Sequence, residues 1–350
     1  MGNEILERSK KAAEMILSFP KSTRIRVVSH YDADGITAAA IICITLYRLG
    51  YNFHVSLMRN PFTEGLERIK KEENELIIFT DMGSGQIELI EQMGCKSIVI
   101  DHHQYIKKKT HRDIFQINAN LFGINGDYEA CGATLSLSIA KAIDKKNSDL
   151  VDLALSGATG DKQYIGGIRG YNKSILDEGL KNGFLKQRKG IKLSGSTLFD
   201  DLYHSIDPYY AGLSGNENEI NKLLKKLHID KETKIEDLSR IQRKQFQSFL
   251  LFKLIKNGCE KNIIDTIIRE RYWSDRLNFE LERFADLIDA CGKGGNRELG
   301  LAVCMGDDKA LKDALKIEMR YKQEILKELI QLEKGGIKEK SNFRYLYSKD

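Results

Sequence analysis

Residues 24–37 read RIRVVSHYDADGIT. Ile25–Ser29 is short, apolar and β-branched, the composition of a strand. Beyond it His30, Asp32 and Asp34 recur at every second position. In an extended continuation of the strand this spacing puts all three side chains on one side. Gly35 then lets the backbone turn tightly into a helical pattern at about 36–49. A strand that ends in imidazole and carboxylates and turns directly into a helix opens an α/β unit, with its chemistry at the strand's C-terminal edge.

The pattern continues outward from there. Phe53–Met58, Leu76–Thr80, Ser97–Ile100 and Ile114–Ile117 are further strand-like runs, with helical patterns at about 63–73 and 86–93. Short continuous apolar strands separated by helices predict a parallel sheet with helices on both faces. Right-handed crossovers place every strand's C-terminal end on one edge. Helical patterns at about 130–144 and 148–158 close this part. Gly166 to Gly215 is glycine-rich and carries the basic run Lys181, Lys186, Arg188, Lys189 and Lys192, which predicts an irregular connection. Helices at about 216–227, 236–257 and 280–291, a strand at Leu299–Met305 and a long helix at about 308–333 follow. The expected organisation is an α/β catalytic domain over 1–165, a connecting region over 166–235 and a smaller mixed α/β domain over 236–350.

At 350 residues the chain exceeds the usual single-core domain, in keeping with more than one domain. Hydrophobic residues at 41% and charged residues at 30% exclude a disordered chain, and a net charge of +5 excludes a nucleic-acid coat protein. No apolar run reaches the roughly 18–20 residues that span a bilayer. Without a signal-peptide pattern, the expected location is cytoplasmic, with no membrane partner. Cys43, Cys95, Cys131, Cys259, Cys291 and Cys304 form no CxxC pair, and read as small hydrophobes in a reducing compartment.

Three further polar clusters follow apolar stretches: Asp81 ends LIIFTD, Asp101, His102 and His103 end SIVIDHH, and Asp161 ends SGATGD. Any one aspartate at a strand end reads as a helix cap, and His30 alone as a core histidine. Taken together they crowd carboxylates on one edge, where cations are needed to offset the repulsion. Carboxylate with imidazole suits Mn²⁺, Fe²⁺, Co²⁺ or Zn²⁺, with Mg²⁺ open, and no cysteine joins the set. Two metals held about 3.5–4 Å apart are a standard device for phosphoryl chemistry.

HYDADG, the isolated TD, VIDHH and the later GD resemble the four motifs of the DHH phosphoesterase superfamily. INANLFGINGDYEACGATLSLSIAKAI, residues 117–143, is similar to the region after the DHH motif in archaeal RecJ-like nucleases. The resemblance implies one cation on His30 and Asp32, another on Asp34, His102 and Asp161, and Asp81 bridging both. It implies that His103 contacts the scissile phosphate while Asp101 orients the imidazoles. The expected cofactors are two divalent cations, Mn²⁺ foremost, with Mg²⁺ or Co²⁺ as alternatives. A water between them would be the nucleophile, with no covalent intermediate.

DACGKGGNRELGLAVCMGD, residues 289–307, resembles the glycine-rich substrate-binding motif of DHH-associated C-terminal domains. Lys293, Gly294, Gly295, Asn296 and Arg297 are the expected substrate-binding residues. Three departures stand out: INANL replaces an Asn-Pro step, CGAT replaces a serine and second glycine, and Lys293 replaces a common arginine. The chain also stops at Asp350, earlier than family members generally end, so the C-terminal domain is expected to be cut short. Lys107, Lys108, Lys109, His111 and Arg112, with the 181–192 run, suit a phosphate backbone. Tyr105, Tyr164, Tyr171, Tyr209, Tyr210 and Trp273 are split between base stacking and core packing. The expected activity is exonucleolytic hydrolysis of single-stranded DNA or RNA in repair or replication. The alternatives are an oligoribonucleotide or cyclic-dinucleotide phosphodiesterase, and a replication-fork scaffold partnered by GINS and helicase.

Overall fold

The computed structural model describes residues 2–59, 62–106, 112–192 and 197–346. Contacts divide the chain into two compact units that are not sequential. One is residues 1–188 with 271–317, the other residues 189–270 with 318–350. The division therefore differs from a linear partition at 165 and 235.

The first unit begins with α1 (Gly2–Leu17) and contains five parallel strands: β1 (Arg24–His30), β2 (Asn52–Met58), β3 (Leu76–Thr80), β4 (Lys96–Asp101) and β5 (Ile114–Asn118). Their order is β2-β1-β3-β4-β5. Between them lie α2 (Ala33–Arg48), α3 (Thr63–Lys70) and α4 (Ile87–Glu91). After β5 come α5 (Gly132–Ile143), α6 (Val151–Gly160), α7 (Gly170–Lys181) and β6 (Lys186–Gly190).

Strand alternation divides the apolar side chains between the two faces of the sheet. Ile25, Val27, Ile78 and Ile98 join the core formed with α1, α2, α5 and α6. Val28, Ile77, Phe79 and Val99 join a second core with Leu66 and Ile69 of α3 and Ile87 and Ile90 of α4. The expected parallel sheet with helices on both faces is therefore what forms. α2 is buried around most of its circumference, from Ala33 to Leu46. Each buried isoleucine or leucine there contributes roughly 1.5–3 kcal/mol.

The segment 166–215 is more regular than expected, since it includes α7, β6 and α8 (Leu198–Tyr203). In α7, Tyr171, Asn172, Ile175, Leu176 and Gly179 are buried at helical spacing. The second unit continues with α9 (Glu217–Lys226), α10 (Arg240–Lys256) and α11 (Lys261–Ile267). Its core includes Leu198, Leu202, Ile220, Leu224, Phe246 and Leu250.

The first unit resumes with β7 (Arg269–Ser274), most of which belongs to it, and β8 (Phe279–Glu280), paired antiparallel. α12 (Leu281–Lys293) and α13 (Arg297–Cys304) follow. The strand expected at Leu299–Met305 is thus a helix. Gly300, Val303 and Cys304 are buried at i, i+3 and i+4, and a short apolar run cannot by itself separate that pattern from a strand. α12 packs so closely on the turn after β1 that a Cβ at Gly292 would lie 1.9 Å from the Tyr31 carbonyl oxygen. α14 (Asp308–Gly335) carries the chain from the first unit into the second, which ends in a hairpin of β9 (Lys338–Lys340) and β10 (Phe343–Tyr345).

Candidate metal centre

β1, β3 and β4 run in register, with Ser29 opposite Thr80 and Thr80 opposite Ile100, so their C-terminal ends reach the same edge. His30, Asp81 and Asp101 emerge there side by side. Asp32 serves as N-cap of α2, its Oδ1 accepting the Gly35 amide at 3.0 Å. The cap therefore occupies one oxygen, and Oδ2 faces His30 Nδ1 at 2.8 Å. Asp34 is fully buried and accepts the Gly132 amide at 2.7 Å and the Ala133 amide at 3.0 Å, at the N-terminus of α5. That position favours negative charge. Gly132 is required by this approach: a Cβ would meet Asp81 Cβ at 2.7 Å and Asp34 Oδ2 at 2.9 Å. Asp81 has φ 56°, the left-handed region that aspartate tolerates better than most residues.

The six residues expected to ligate metal lie together. His30, Asp32 and Asp81 form one triad, and Asp34, His102 and Asp161 another. A third contains Asp81, His102 and His103. Within each, ligand atoms lie within 4.8 Å of one another and could hold a metal ion. Asp81 directs Oδ2 to His30 Nδ1 at 3.5 Å and Oδ1 to His102 Nε2 at 3.1 Å, so it faces both sets. Asp161, the C-cap of α6, brings Oδ2 to 3.3 Å from the same Nε2, and Asp34 Oδ2 stands 3.6 Å away.

Two observations test whether this donor set suits a cation. His102 Nδ1 lies 2.6 Å from the Gly126 carbonyl oxygen, which can only accept, so Nδ1 carries the proton. Nε2 then faces three carboxylates, which against burial raise the His102 pKa well above its ordinary value, so the site draws positive charge, as a proton on Nε2 or as a cation in its place. His30 Nδ1 is buried beside Asp32 and Asp81 without an aligned hydrogen bond to either. Neighbouring atoms that do not bond one another but face a common space are disposed as co-ligands. The donors fit a divalent cation.

The electrostatics agree. Burial raises the Asp34 carboxyl, the Asp81 charge raises it further, and together they bring it to about 7. Burial and then Asp34 push Asp161 well above the usual range. Two carboxylate charges within 4.8 Å repel by at least about 3 kcal/mol at an effective dielectric near 20. Burial alone would lower His30, but Asp32 and Asp81 outweigh it and hold the ring at about 10. Burial likewise opposes the shift of Asp81, yet His102 and His30 keep it well below the carboxylate range.

Asp101 organises the DHH turn. Its Oδ1 accepts the His102 amide at 2.8 Å, the His103 amide at 3.1 Å and His103 Nδ1 at 2.8 Å, and its Oδ2 accepts the Ser84 amide at 2.9 Å. His103 is 56% exposed, with Nδ1 the ring nitrogen turned to Asp101. The Asp101 carboxylate raises its pKa above the ordinary value, against burial. Further residues that sequence motifs did not single out support His102. The Gln163 amide donates to the Gly126 oxygen at 2.9 Å and to the Ala130 oxygen at 3.1 Å, while Asn120 Nδ2 donates to the His102 carbonyl at 2.8 Å. Only the position of Gln163, two residues past Asp161, was a signal.

The glycine-rich turn lies within the same unit. Lys293 ends α12 and pairs with Asp289. Gly294 and Gly295 form the turn, with Gly295 at φ 80°, and Asn296 Nδ2 closes it on the Gly294 oxygen at 2.8 Å. Arg297 stands over the Tyr31 ring at 5.6 Å and donates from Nη1 to the Leu57 carbonyl at 3.1 Å. Tyr31 separates His30 from Asp32, so this turn adjoins the first motif. Lys107, Lys108, Lys109 and His111 lie outside the described residues. Among the aromatic residues, Tyr171 and Tyr210 are buried core residues, whereas Arg188 lies over Trp273 at 5.2 Å.

A parallel α/β sheet whose C-terminal edge gathers four carboxylates and two imidazoles defines a protein with a candidate two-cation centre. Residues 24–158 match the DHH family, N-terminal domain, the family whose motifs this stretch resembles. An uncharacterized protein of Methanocaldococcus jannaschii is 28% identical over 333 residues, covering 93% of this chain and 73% of the relative. Among solved structures, CDC45 from Entamoeba histolytica is similar at TM-score 0.64 and 15% identity, over 94% of this chain and 72% of that one, a likeness of fold. RecJ from Thermus thermophilus in complex with Mn²⁺ is similar at TM-score 0.47 and 19% identity, over 95% of this chain. The chain spans 38% of that RecJ's length. Among the described residues, no helix is long and apolar enough to cross a membrane.

Proposed function

We propose that this protein is a metal-dependent phosphodiesterase that removes nucleotides from the end of single-stranded DNA or RNA. The observation that carries the reading is the pair of ligand triads joined by Asp81, which faces His30 with one oxygen and His102 with the other. His30 and Asp32 would hold one divalent cation, Asp34, His102 and Asp161 a second, and Asp81 both, with Mn²⁺ the expected metal. Bound there, the cations supply Lewis acidity toward phosphate oxygens and lower the pKa of an attacking water.

The chain's own groups do the rest. Asp101 Oδ1 accepts a hydrogen bond from His103 Nδ1, so Nε2 would donate to a phosphate oxygen when the ring is charged. Its raised pKa keeps that cationic form populated closer to neutrality. The Arg297 guanidinium, held over Tyr31, is placed to receive a neighbouring phosphate or sugar, and the side-chain-free turn at Gly294 and Gly295 lets the backbone approach it.

Digestion of end-labelled single-stranded DNA and RNA, side by side, with Mn²⁺ and with EDTA, tests the reading. Stepwise shortening that requires Mn²⁺ is expected. Cleavage confined to dinucleotides or cyclic dinucleotides would instead assign a small-nucleotide phosphodiesterase. No cleavage, together with co-purification with GINS or the replicative helicase, would assign a scaffold.

A further inference from the structure

α10 is amphipathic toward the core yet carries a second apolar set on its outer side. Phe246, Leu250 and Leu254 are buried at four-residue intervals. At 100° per residue, the opposite side of the helix carries Ile241, Lys244, Gln245, Ser248, Phe252, Ile255 and Lys256. Ile241 is 70% exposed, Phe252 61% and Ile255 57%. Large apolar side chains this exposed on one helix face mark a contact surface.

The charge of the helix restricts what that surface can meet. Its sequence RIQRKQFQSFLLFKLIK holds five basic residues and no acidic one. A second copy of the same face would be repelled. Lys244 and Lys256 flank the face on its two sides, and Gln245 and Ser248 interrupt the apolar set between Ile241 and Phe252. An amphipathic helix lying on a membrane needs a continuous apolar stripe, which these polar residues break. An exposed ring between cations, with amide and hydroxyl donors beside it, matches the stacking platforms on which single strands lie.

We propose that this face of α10 binds a single-stranded nucleic acid, Phe252 stacking on a base while Lys244 and Lys256 follow the phosphates. It rests on the nuclease reading only in the choice of strand, since binding here needs neither cation nor hydrolysis.

The test is fluorescence anisotropy of a labelled 20-nucleotide dT or rU strand in EDTA, across a salt series. Phe252→Ala is expected to weaken binding by about 5- to 100-fold. Lys244→Glu with Lys256→Glu is expected to weaken it at least as much and to lower the slope of log Kd against log salt by about 1.4. Both positions are exposed, and unchanged melting curves would establish that the variants fold. If both variants bind as the parent does, the proposal is overturned. If poly-glutamate displaces the strand and Phe252→Ala has no effect, the face docks an acidic protein and the proposal is overturned. If the strand binds through α10 but Mn²⁺ never leads to its cleavage, the proposal stands and the nuclease reading falls.

Discussion

His102 Nδ1 and the Gly126 carbonyl oxygen are 2.6 Å apart, and that contact decides which ring nitrogen of His102 faces the carboxylates. The same oxygen accepts the Gln163 amide, so a residue outside the sequence motifs helps fix the imidazole. Second partners of this kind commonly set the affinity of a metal-ligating histidine.

Gln163→Leu removes that support. It leaves the Gly126 and Ala130 oxygens short of a donor, at a cost of about 1–3 kcal/mol in stability. Mn²⁺ affinity should fall by about 10- to 100-fold, read by calorimetric titration beside a thermal melt. A drop in stability with unaltered Mn²⁺ affinity would assign Gln163 to packing alone.

Asp81→Asn is the cleanest removal of the residue that faces both His30 and His102. Asparagine tolerates φ 56° at least as well as aspartate, so the turn should keep its shape. Turnover should fall by more than about 100-fold, beyond what partners outside the ligand set usually cost. Mn²⁺-dependent hydrolysis within a few-fold of the parent would remove Asp81 from the centre.

Cation binding should release protons. The metal-free His30 ring, held at about 10, is charged throughout pH 6–8, whereas Asp34, at about 7, is largely protonated only below neutrality. A divalent ion must displace those protons, so affinity rises with pH. At least about two protons should leave below pH 7 and at least about one above it. Titrations in buffers of different ionisation enthalpy count them directly, and a pH-independent affinity would contradict the assignment.

Gly292→Ala tests the packing of α12 on the turn after β1. Helix propensity alone would favour alanine by about 1 kcal/mol. The added Cβ would sit 1.9 Å from the Tyr31 oxygen, and overpacking against main chain costs about 1–3 kcal/mol or more. The clash should win, lowering the melting temperature. A stabilised variant would show that α12 does not pack there.

Much of the first unit could be read in advance because its signals are local. Each strand is a continuous apolar run, and each expected ligand directly follows one or, for Asp161, a small-residue helix. Leu299–Met305 misled because apolar residues and small glycines fit both periods, and the helix is chosen by burial of Gly300 against Ile36 and Cys291. Gln163 was invisible for a different reason: its role exists only once Gly126, far from it in sequence, is brought alongside. The regularity of α7 was hidden by flanking glycines, although its buried positions keep a helical period.

The return of residues 271–317 to the first unit bears on how the protein is made. A ribosome that has reached residue 270 has already released every strand of the main sheet, but nothing of α12 or α13. Until both emerge, Ile36 and the flank of α2 beside Tyr31 stay wet, and α2 and α6 lack the helices that pack on them. Completion of the earliest-born part of the molecule therefore waits on a late segment, a delay during which a chaperone would find its apolar surface still bare.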